Sequence, residues 1–204
     1  MTARAQKPHP LRPPEGGRRK ARPRRLLPLL LVAALFAARA AALDTIYLVR
    51  HAEKADPWPT ERELDAFWPL SPEGAARAQR LAARLKDAGI AAVYGSRTTR
   101  SVQTGLPLAH AAGIRIVADD ASIKPDQMAG FFEGLRERHA KDGAVLVVAH
   151  SNTIPNLLEK LGATPDCHAR LGIKEGTNGL EAEGYDGLWR IDLKKQGCAA
   201  IERQ

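Results

Sequence analysis

The chain has few cysteines and lacks the usual metal-site motifs. Only Cys167 and Cys198 occur among its 204 residues, and their spacing matches no metal-binding pattern. There is no Walker glycine loop, no His-Glu-x-x-His and no cluster of metal-ligating carboxylates, so metal-dependent hydrolysis is poorly supported. We therefore expect no metal and no cofactor. A disulfide between the two cysteines is compatible with an oxidising compartment, but the sequence alone leaves it open.

Excess basic charge is absent outside the N-terminal region. The formal net charge is +8, but residues 1–40 hold ten Lys or Arg and one acid, whereas residues 41–204 hold 21 basic and 22 acidic residues. The larger part is nearly neutral and shows no basic stripe with interleaved aromatic residues, so we expect no nucleic-acid partner. Its length suits one domain with a sizeable core.

Residues 1–40 have the pattern of a secretory signal peptide. A cationic stretch at residues 18–25 precedes a short apolar run at residues 26–36, and Ala38-Arg39-Ala40 offers a small-x-small cleavage site. We expect residues 41–204 to form the mature domain, exported through the general pathway to the bacterial periplasm or the medium and free of the membrane after cleavage. The apolar run is shorter than the about 20 residues that a membrane span needs. An uncleaved membrane anchor remains an alternative, because alanine and leucine residues resume close behind the apolar run.

Strand and helix patterns alternate along the domain. Short apolar runs predict strands, and segments with helical spacing and capping residues predict helices between them. The predicted strands are Thr45–Val49, Ile90–Tyr94, Ile114–Val117, Ala144–Ala149 and Leu188–Leu193, and the predicted helices begin near residues 71, 98, 126 and 151. This order predicts an α/β fold, a three-layer α/β/α sandwich whose mostly parallel sheet carries an antiparallel edge strand. We expect residues 55–70 to form a long loop that roofs a site, and residues 163–185 to be irregular.

Basic side chains follow three of the predicted strands. Arg50 and His51 end the first strand, Arg97 and Arg100 follow the second, and His150 ends the strongly apolar fourth. Because ligands bind beyond the carboxyl ends of parallel strands, we expect these groups to share one crevice. So much positive charge has no structural purpose unless an anion fills it, and guanidinium groups bind the oxygens of a phosphoryl group well. The sequence therefore predicts a phosphoryl site.

The segments around these residues resemble the histidine phosphatase superfamily, also called phosphoglycerate mutase-like. The resemblance rests on Leu48–Lys54, on Tyr94-Gly95-Ser96 followed by Arg100-Ser101-x-x-Thr104, and on Val147–Thr153. The three blocks stand in the family's order and spacing, span most of residues 44–193, and look most like the small single-domain bacterial branch. The resemblance implies a phosphoglycerate mutase-like fold, a metal-independent phosphatase activity, and a small phosphorylated molecule or a phosphoprotein as substrate.

The resemblance also implies roles for four matching residues. His51 would be the nucleophile and carry the phosphoryl group as phosphohistidine until water releases it. Arg50, Arg100 and His150 would hold the phosphoryl oxygens, with His150 protonated and His51 neutral. A phosphoryl mutase and a catalytically silent phosphoryl-binding protein are the alternatives. The short insertion after the second helix argues against the mutase, and the intact set of four residues argues against the silent protein.

Five further residues are weaker candidates for substrate binding. Glu53 could accept a proton or pair with a neighbouring arginine, and we favour the pairing. Arg97 is either solvated or in contact with substrate, and the helix start at Ser151 would direct backbone N–H groups at the phosphoryl group. Many family members supply a general acid between the third and fourth strands, where Asp120 and Asp126 are candidates that read equally well as turn and helix-start residues. Without such an acid, good leaving groups, as in phosphohistidine or anhydrides, would be favoured.

Overall fold

The computed structural model describes residues 42–55, 62–141 and 143–204. The predicted signal peptide, its cleavage site and the alternative membrane anchor lie outside these residues, as does part of the predicted roofing loop. Within the described part of the chain, no helix is long and apolar enough to cross a membrane.

A six-stranded mixed sheet with helices on both faces forms the body of the domain. The strands of the domain are β1 Thr45–Arg50, β2 Ile90–Gly95, β3 Arg115–Ala118, β4 Ala144–Ala149, β5 Ile173–Gly176, β6 Gly179–Ala182, β7 Leu188–Asp192 and β8 Ile201–Arg203, and the helices are α1 Pro72–Leu85, α2 Thr99–Ala112, α3 Met128–Arg138 and α4 Ile154–Lys160. The order of the six-stranded sheet is β3-β2-β4-β1-β7-β8. Strands β1 to β4 are mutually parallel, β7 runs antiparallel to β1, and β8 runs antiparallel to β7. The predicted α/β sandwich with a mostly parallel sheet is confirmed.

Strand β4 lies at the centre of the core, and all six of its residues are buried. Leu146 and Val148 pack on the face covered by α1 and α2, whereas Val145 and Val147 pack on the face covered by α3 and α4. Both faces are therefore shielded from water, which is why the strand is apolar at every position rather than alternating. Truncating such a fully buried leucine to alanine typically costs about 2–5 kcal/mol.

Helix α1 is fixed against the end of β1 by its first turn. The Ser71 hydroxyl accepts a hydrogen bond of 3.1 Å from the Gly74 N–H, and Pro72 occupies the first helical position. The Ser71 N–H donates to the Glu53 carbonyl at 2.9 Å. A side chain at Gly74 would collide with that same carbonyl, so the glycine permits the close approach of the helix.

Two segments differ from the sequence prediction. Residues 163–185 were expected to be irregular, yet they contain the hairpin of β5 Ile173–Gly176 and β6 Gly179–Ala182. Its strands are short and mostly exposed, so their sequences lack the hydrophobic periodicity that predicts a strand. The predicted roofing loop contains a 3₁₀ helix at Arg62–Phe67. Cys167 and Cys198 form a disulfide, which the sequence had left open.

Candidate active site

The parallel pairing of β1, β4 and β2 brings the predicted groups together. Arg50 pairs with Ala149 and Gly95 pairs with Val148, so the three strands end side by side. The rings of His51 and His150 consequently lie 5.0 Å apart between centroids. Arg100, in the first turn of α2, places its Nε 3.3 Å from His51 Nε2. Two histidines and an arginine distant in sequence thus form one cluster.

The hydrogen bonds of His51 fix its tautomer. Its Nδ1 lies 2.7 Å from the Ala52 carbonyl oxygen, which can only accept, so Nδ1 carries the proton. Its Nε2 accepts from Arg100 Nε–H, so Nε2 holds the lone pair. Burial, together with the positive charges of Arg100 and Arg50, lowers the His51 pKa to about 3 despite the favourable bond to Ala52. The buried imidazole is therefore neutral near pH 7 and presents an unprotonated Nε2 beside a guanidinium.

The backbone of His51 and Ala52 is held by hydrogen bonds to β4 and to the first turns of α2. The His51 N–H donates to the Ala149 carbonyl at 2.8 Å, which continues the β1–β4 pairing by one residue. The next N–H, that of Ala52, donates to the Thr104 hydroxyl at 2.9 Å, and this hydroxyl donates to the Arg100 carbonyl at 2.7 Å. The loop with the candidate nucleophile and the helix with its arginine are thereby connected.

Both terminal nitrogens of Arg100 donate hydrogen bonds to one residue of the 3₁₀ segment. Its Nη1 donates to the Asp65 carbonyl at 2.6 Å and its Nη2 donates to Asp65 Oδ2 at 2.8 Å. Burial would raise the pKa of Asp65, but the bond from Arg100 and the charges of Arg100 and Lys54 outweigh it and lower that pKa. Asp65 is therefore a carboxylate near pH 7, and it occupies the fork of Arg100 that suits an oxyanion.

Arg50 lies beside Tyr185, a residue from the far end of the chain. Its Cζ is 3.9 Å from the centroid of the Tyr185 ring, and its Nη1 donates to the Gly184 carbonyl at 3.1 Å. Its Nε is buried and has no hydrogen-bond partner within the described residues. A buried donor without an acceptor costs about 1–3 kcal/mol. An oxyanion placed between Arg50 and the histidines would remove that cost.

His150 is held by a cluster of hydroxyl groups after β2. Its Nε2 lies 2.8 Å from the Ser96 hydroxyl, and Ser96 also contacts the hydroxyls of Thr98 at 3.1 Å and Ser101 at 3.0 Å. Burial, followed by the charge of Arg100, lowers the His150 pKa to about 4. His150 is therefore neutral in the unliganded site, whereas we expect its working form to be protonated. A phosphoryl dianion nearby would favour protonation, because an opposite charge stabilises the imidazolium.

Both the sequence and the fold of the chain are similar to those of known phosphatases. The sequence profile of the histidine phosphatase superfamily (branch 1) matches residues 46–122, a stretch that contains Arg50, His51 and Arg100. Residues 46–122 belong to the histidine phosphatase superfamily. No curated protein gives a significant match to the chain.

Solved structures of histidine phosphatases share the fold. The SixA protein of Agrobacterium tumefaciens, assigned as a phosphohistidine phosphatase, is 25% identical with a TM-score of 0.54, over 79% of this chain and 95% of that one. A protein histidine phosphatase SixA complexed with tungstate is 15% identical (TM-score 0.55, 78% and 94% covered). A mycobacterial glucosyl-3-phosphoglycerate phosphatase is likewise 15% identical (TM-score 0.55, 79% and 97% covered).

The weaker candidates lie around the cluster and not within it. Glu53 forms a two-pronged ion pair with Arg77, whose Nε and Nη2 lie 2.9 and 2.6 Å from Glu53 Oε1. Asp120 accepts from the backbone N–H of Arg97 at 2.9 Å, and the exposed Arg97 side chain approaches the same carboxylate at 3.8 Å. Glu53 is thus paired with Arg77, and Asp120 with Arg97.

Two further candidates are not brought into the cluster. Asp126 is exposed and makes no side-chain hydrogen bond or ion pair within the described residues. Ser151 lies in a turn before α4, which begins at Ile154, and its carbonyl accepts from the Ala182 N–H at 2.8 Å. The predicted cap at residues 151–153 includes the observed N-cap residue, Thr153, although the Thr153 side chain makes no capping hydrogen bond.

Sequence reasoning missed Asp65, Ser96 as a partner of His150, and Tyr185. Ser96 belonged to a quoted motif, but its histidine partner is 54 residues away. Asp65 lies in the long loop that was expected to roof the site, which was the only local signal for it. Within the described residues, no group of three or more His, Cys, Asp or Glu side chains is arranged to hold a metal ion.

Proposed function

We propose that this protein is a metal-independent phosphatase that hydrolyses its substrate through a phosphohistidine at His51. The observation that carries the proposal is the state of His51: a buried, neutral imidazole with its Nε2 lone pair 3.3 Å from the Arg100 guanidinium and with a second histidine ring 5.0 Å away. A nucleophile needs an available lone pair, and an incoming phosphoryl group needs positive charge around it. Membership of residues 46–122 in the superfamily supports the same activity.

In the first step, the lone pair on His51 Nε2 attacks phosphorus. The N–P bond forms as the bond from phosphorus to the leaving oxygen breaks, and that oxygen departs with the electron pair. The proton on Nδ1 stays directed at the Ala52 carbonyl, which disperses the positive charge that the imidazole acquires. Arg50, Arg100 and protonated His150 hold the other phosphoryl oxygens as charge shifts onto them.

In the second step, water attacks phosphorus and the N–P bond breaks. Inorganic phosphate is released and the electron pair returns to Nε2. The water must lose a proton, and the Asp65 carboxylate can accept it, because it is ionised near pH 7 and lies beside Arg100. Its bond to Arg100, which lowers its pKa, is released when the phosphoryl group takes that place. Asp65 must first move off the Arg100 fork to admit the phosphoryl group.

We propose that the substrates carry good leaving groups, as phosphohistidine and anhydrides do. Asp65, the carboxylate that contacts Arg100, has a lowered pKa, so it does not provide a protonated carboxyl group for an alkoxide in the free site. The Agrobacterium protein with 25% identity is assigned as a phosphohistidine phosphatase, which supports this class. A phosphoprotein and a small phosphorylated molecule are both compatible with it.

We also propose that the domain acts in the periplasm or outside the cell. The basic and apolar pattern of residues 1–40 supports export. The Cys167–Cys198 disulfide supports an oxidising compartment, since such bonds are rare in a reducing cytosol. A fusion of residues 1–45 to alkaline phosphatase, which is active only after export, tests the proposal: an inactive fusion would contradict it.

The activity is tested by hydrolysis of 4-nitrophenyl phosphate with and without EDTA, using the wild type and His51→Ala. We expect turnover that EDTA does not reduce and that the substitution abolishes. Turnover in His51→Ala would rule out the proposed nucleophile, and loss of turnover on chelation would show that a metal is required. Asp126→Ala is the matched control, because this exposed side chain makes no hydrogen bond or ion pair in the part of the chain that the structure describes.

A further inference from the structure

A cavity of about 240 Å³ opens beside the catalytic cluster, between α1 and residues 185–188. Neither His51, Arg100 nor His150 lines it. Arg50 and Ala52, the two neighbours of His51 in the chain, do. The cavity therefore adjoins the two histidines and shares Arg50 with the proposed phosphoryl site.

The cavity is strongly basic on the side formed by α1. Arg77, Arg80 and Arg84 line it, and they fall on one helical face because residues three, four and seven apart share a face. With Arg50, four guanidinium groups border the same space. Exposed arginines on a helix are usually just solvated, but here they converge on a concave surface.

The nearby carboxylates neutralise only one of these arginines. Arg77 bonds to Glu53 through Nε and Nη2, and to Asp186 through Nη1. Within the described residues, Arg80 and Arg84 have no carboxylate in ion-pair contact, and Arg84 reaches only the Gln204 side-chain oxygen at 3.5 Å. Arg50, Arg80 and Arg84 thus have no carboxylate at ion-pair distance within the described residues.

Most of the remaining lining is apolar, but it also contains the Thr104 hydroxyl and the Asp186 carboxylate that pairs with Arg77. The apolar groups are the ring of Tyr185 and the side chains of Val49, Ala52, Ala78, Leu81 and Leu188. An inorganic anion alone would gain no binding energy from these apolar side chains. A molecule with an apolar part and an anionic end would contact both the apolar side chains and the arginines.

Tyr185 joins the cavity to the cluster. Its ring stacks on the Arg50 guanidinium at 3.9 Å and lies 6.1 Å from the His51 ring. A substrate whose phosphoryl group is held by Arg50 and His51 could therefore extend along Tyr185 into the cavity. We propose that the cavity binds a second anionic group of the phosphorylated substrate, a carboxylate or phosphate on an apolar spacer, through Arg80 and Arg84. This specificity rests on the proposed phosphatase function.

The test compares kcat/KM for phenyl phosphate with kcat/KM for 4-carboxyphenyl phosphate, measured as phosphate release at low ionic strength. The variants are Arg80→Gln/Arg84→Gln and a control, Arg136→Gln, whose arginine is exposed on α3 and away from the cavity. The ratio of the two kcat/KM values cancels changes that affect both substrates. It also cancels the different reactivity of the two leaving groups when variants are compared.

We expect the ratio to favour the carboxylated substrate in the wild type and to fall about fivefold to tenfold in the double variant, through KM, because each exposed charge contact contributes modestly. The Arg136→Gln control should keep the wild-type ratio. In the wild type, 0.5 M KCl should reduce the ratio, because salt screens exposed charges. A ratio that changes less than twofold in the double variant would overturn the proposal. If the wild type hydrolysed neither these two substrates nor 4-nitrophenyl phosphate, the phosphatase function itself would fail, and the substrate preference with it.

Discussion

Replacing Asp65 by asparagine should strengthen the binding of inorganic phosphate. In the free site, both terminal nitrogens of Arg100 are engaged by Asp65, one by its carbonyl at 2.6 Å and one by its carboxylate at 2.8 Å. Phosphate must displace the carboxylate to reach that fork. Asparagine keeps the size of the side chain but removes the charge that pairs with Arg100 and repels a dianion.

The expected change in the Kd for phosphate follows from how exposed the Arg100–Asp65 ion pair is. Arg100 is 8% exposed but the Asp65 side chain is 46% exposed, so water screens the pair and its strength is that of a surface ion pair, about 1 kcal/mol. Since 1.4 kcal/mol is a factor of ten in affinity, we expect a Kd for phosphate about fivefold lower in Asp65→Asn. The pair persists throughout the neutral range, because the pKa of Asp65 is lowered.

Isothermal titration calorimetry with phosphate at pH 7 measures this directly. Binding is the appropriate measurement, because loss of the proposed proton acceptor should lower kcat at the same time. Asp126→Asn removes an exposed carboxylate that makes no side-chain contact within the described residues and is the control. An unchanged or higher Kd in Asp65→Asn would refute the view that Asp65 competes with phosphate for Arg100.

Three further predictions concern protonation, the hydroxyl cluster and the disulfide. Because burial lowers the pKa of His51 to about 3 and that of His150 to about 4, both rings should stay neutral in NMR titrations of the free protein from pH 8 to pH 5; a midpoint near 6.5 would contradict this. Both folded pKa values lie below the unfolded value, so the unfolded chain binds more protons and these rings lower stability as the pH falls through 6.5; His51→Gln should lose less unfolding free energy between pH 7 and pH 4 than the wild type. Ser96→Ala removes the 2.8 Å contact to His150 and should lower kcat/KM about threefold to tenfold, whereas Thr98→Ala, which contacts Ser96 but not His150, should change it less; equal effects would argue against a specific role for Ser96. Reducing the disulfide, which closes a loop with a sequence separation of 31, should lower the unfolding free energy in urea by about 3–4 kcal/mol, and a change under 1 kcal/mol would show that the bond contributes little.

Much of the fold could be predicted because its signals are local. Strand β4 is apolar at all six positions, as a strand covered on both faces must be. The alternation of such runs with helical patterns then requires parallel strands with crossover helices. The same logic places His51 and His150 at one edge, since each directly follows a parallel strand. The hairpin of β5 and β6 could not be predicted, because short exposed strands carry no hydrophobic period.

The partners of the site residues could be predicted far less well. Asp65 is 35 residues from Arg100, and Gly184, which accepts from Arg50, is 134 residues from it. Nothing in the local pattern marks such contacts, because they result from the packing of loops across the sheet edge. Glu53 is an intermediate case. Its pairing with an arginine was expected, but the partner, Arg77, depends on how closely α1 approaches at Gly74.

Trapping of the phosphorylated enzyme tests the central claim most directly. The wild type is mixed rapidly with ³²P-labelled 4-nitrophenyl phosphate, quenched in alkali, and digested for mass spectrometry under conditions that preserve phosphohistidine. We expect an acid-labile, alkali-stable phosphoryl group on His51 in the wild type and none in His51→Ala. A label on another residue, or turnover by the wild type in which no phosphoenzyme forms, would contradict it.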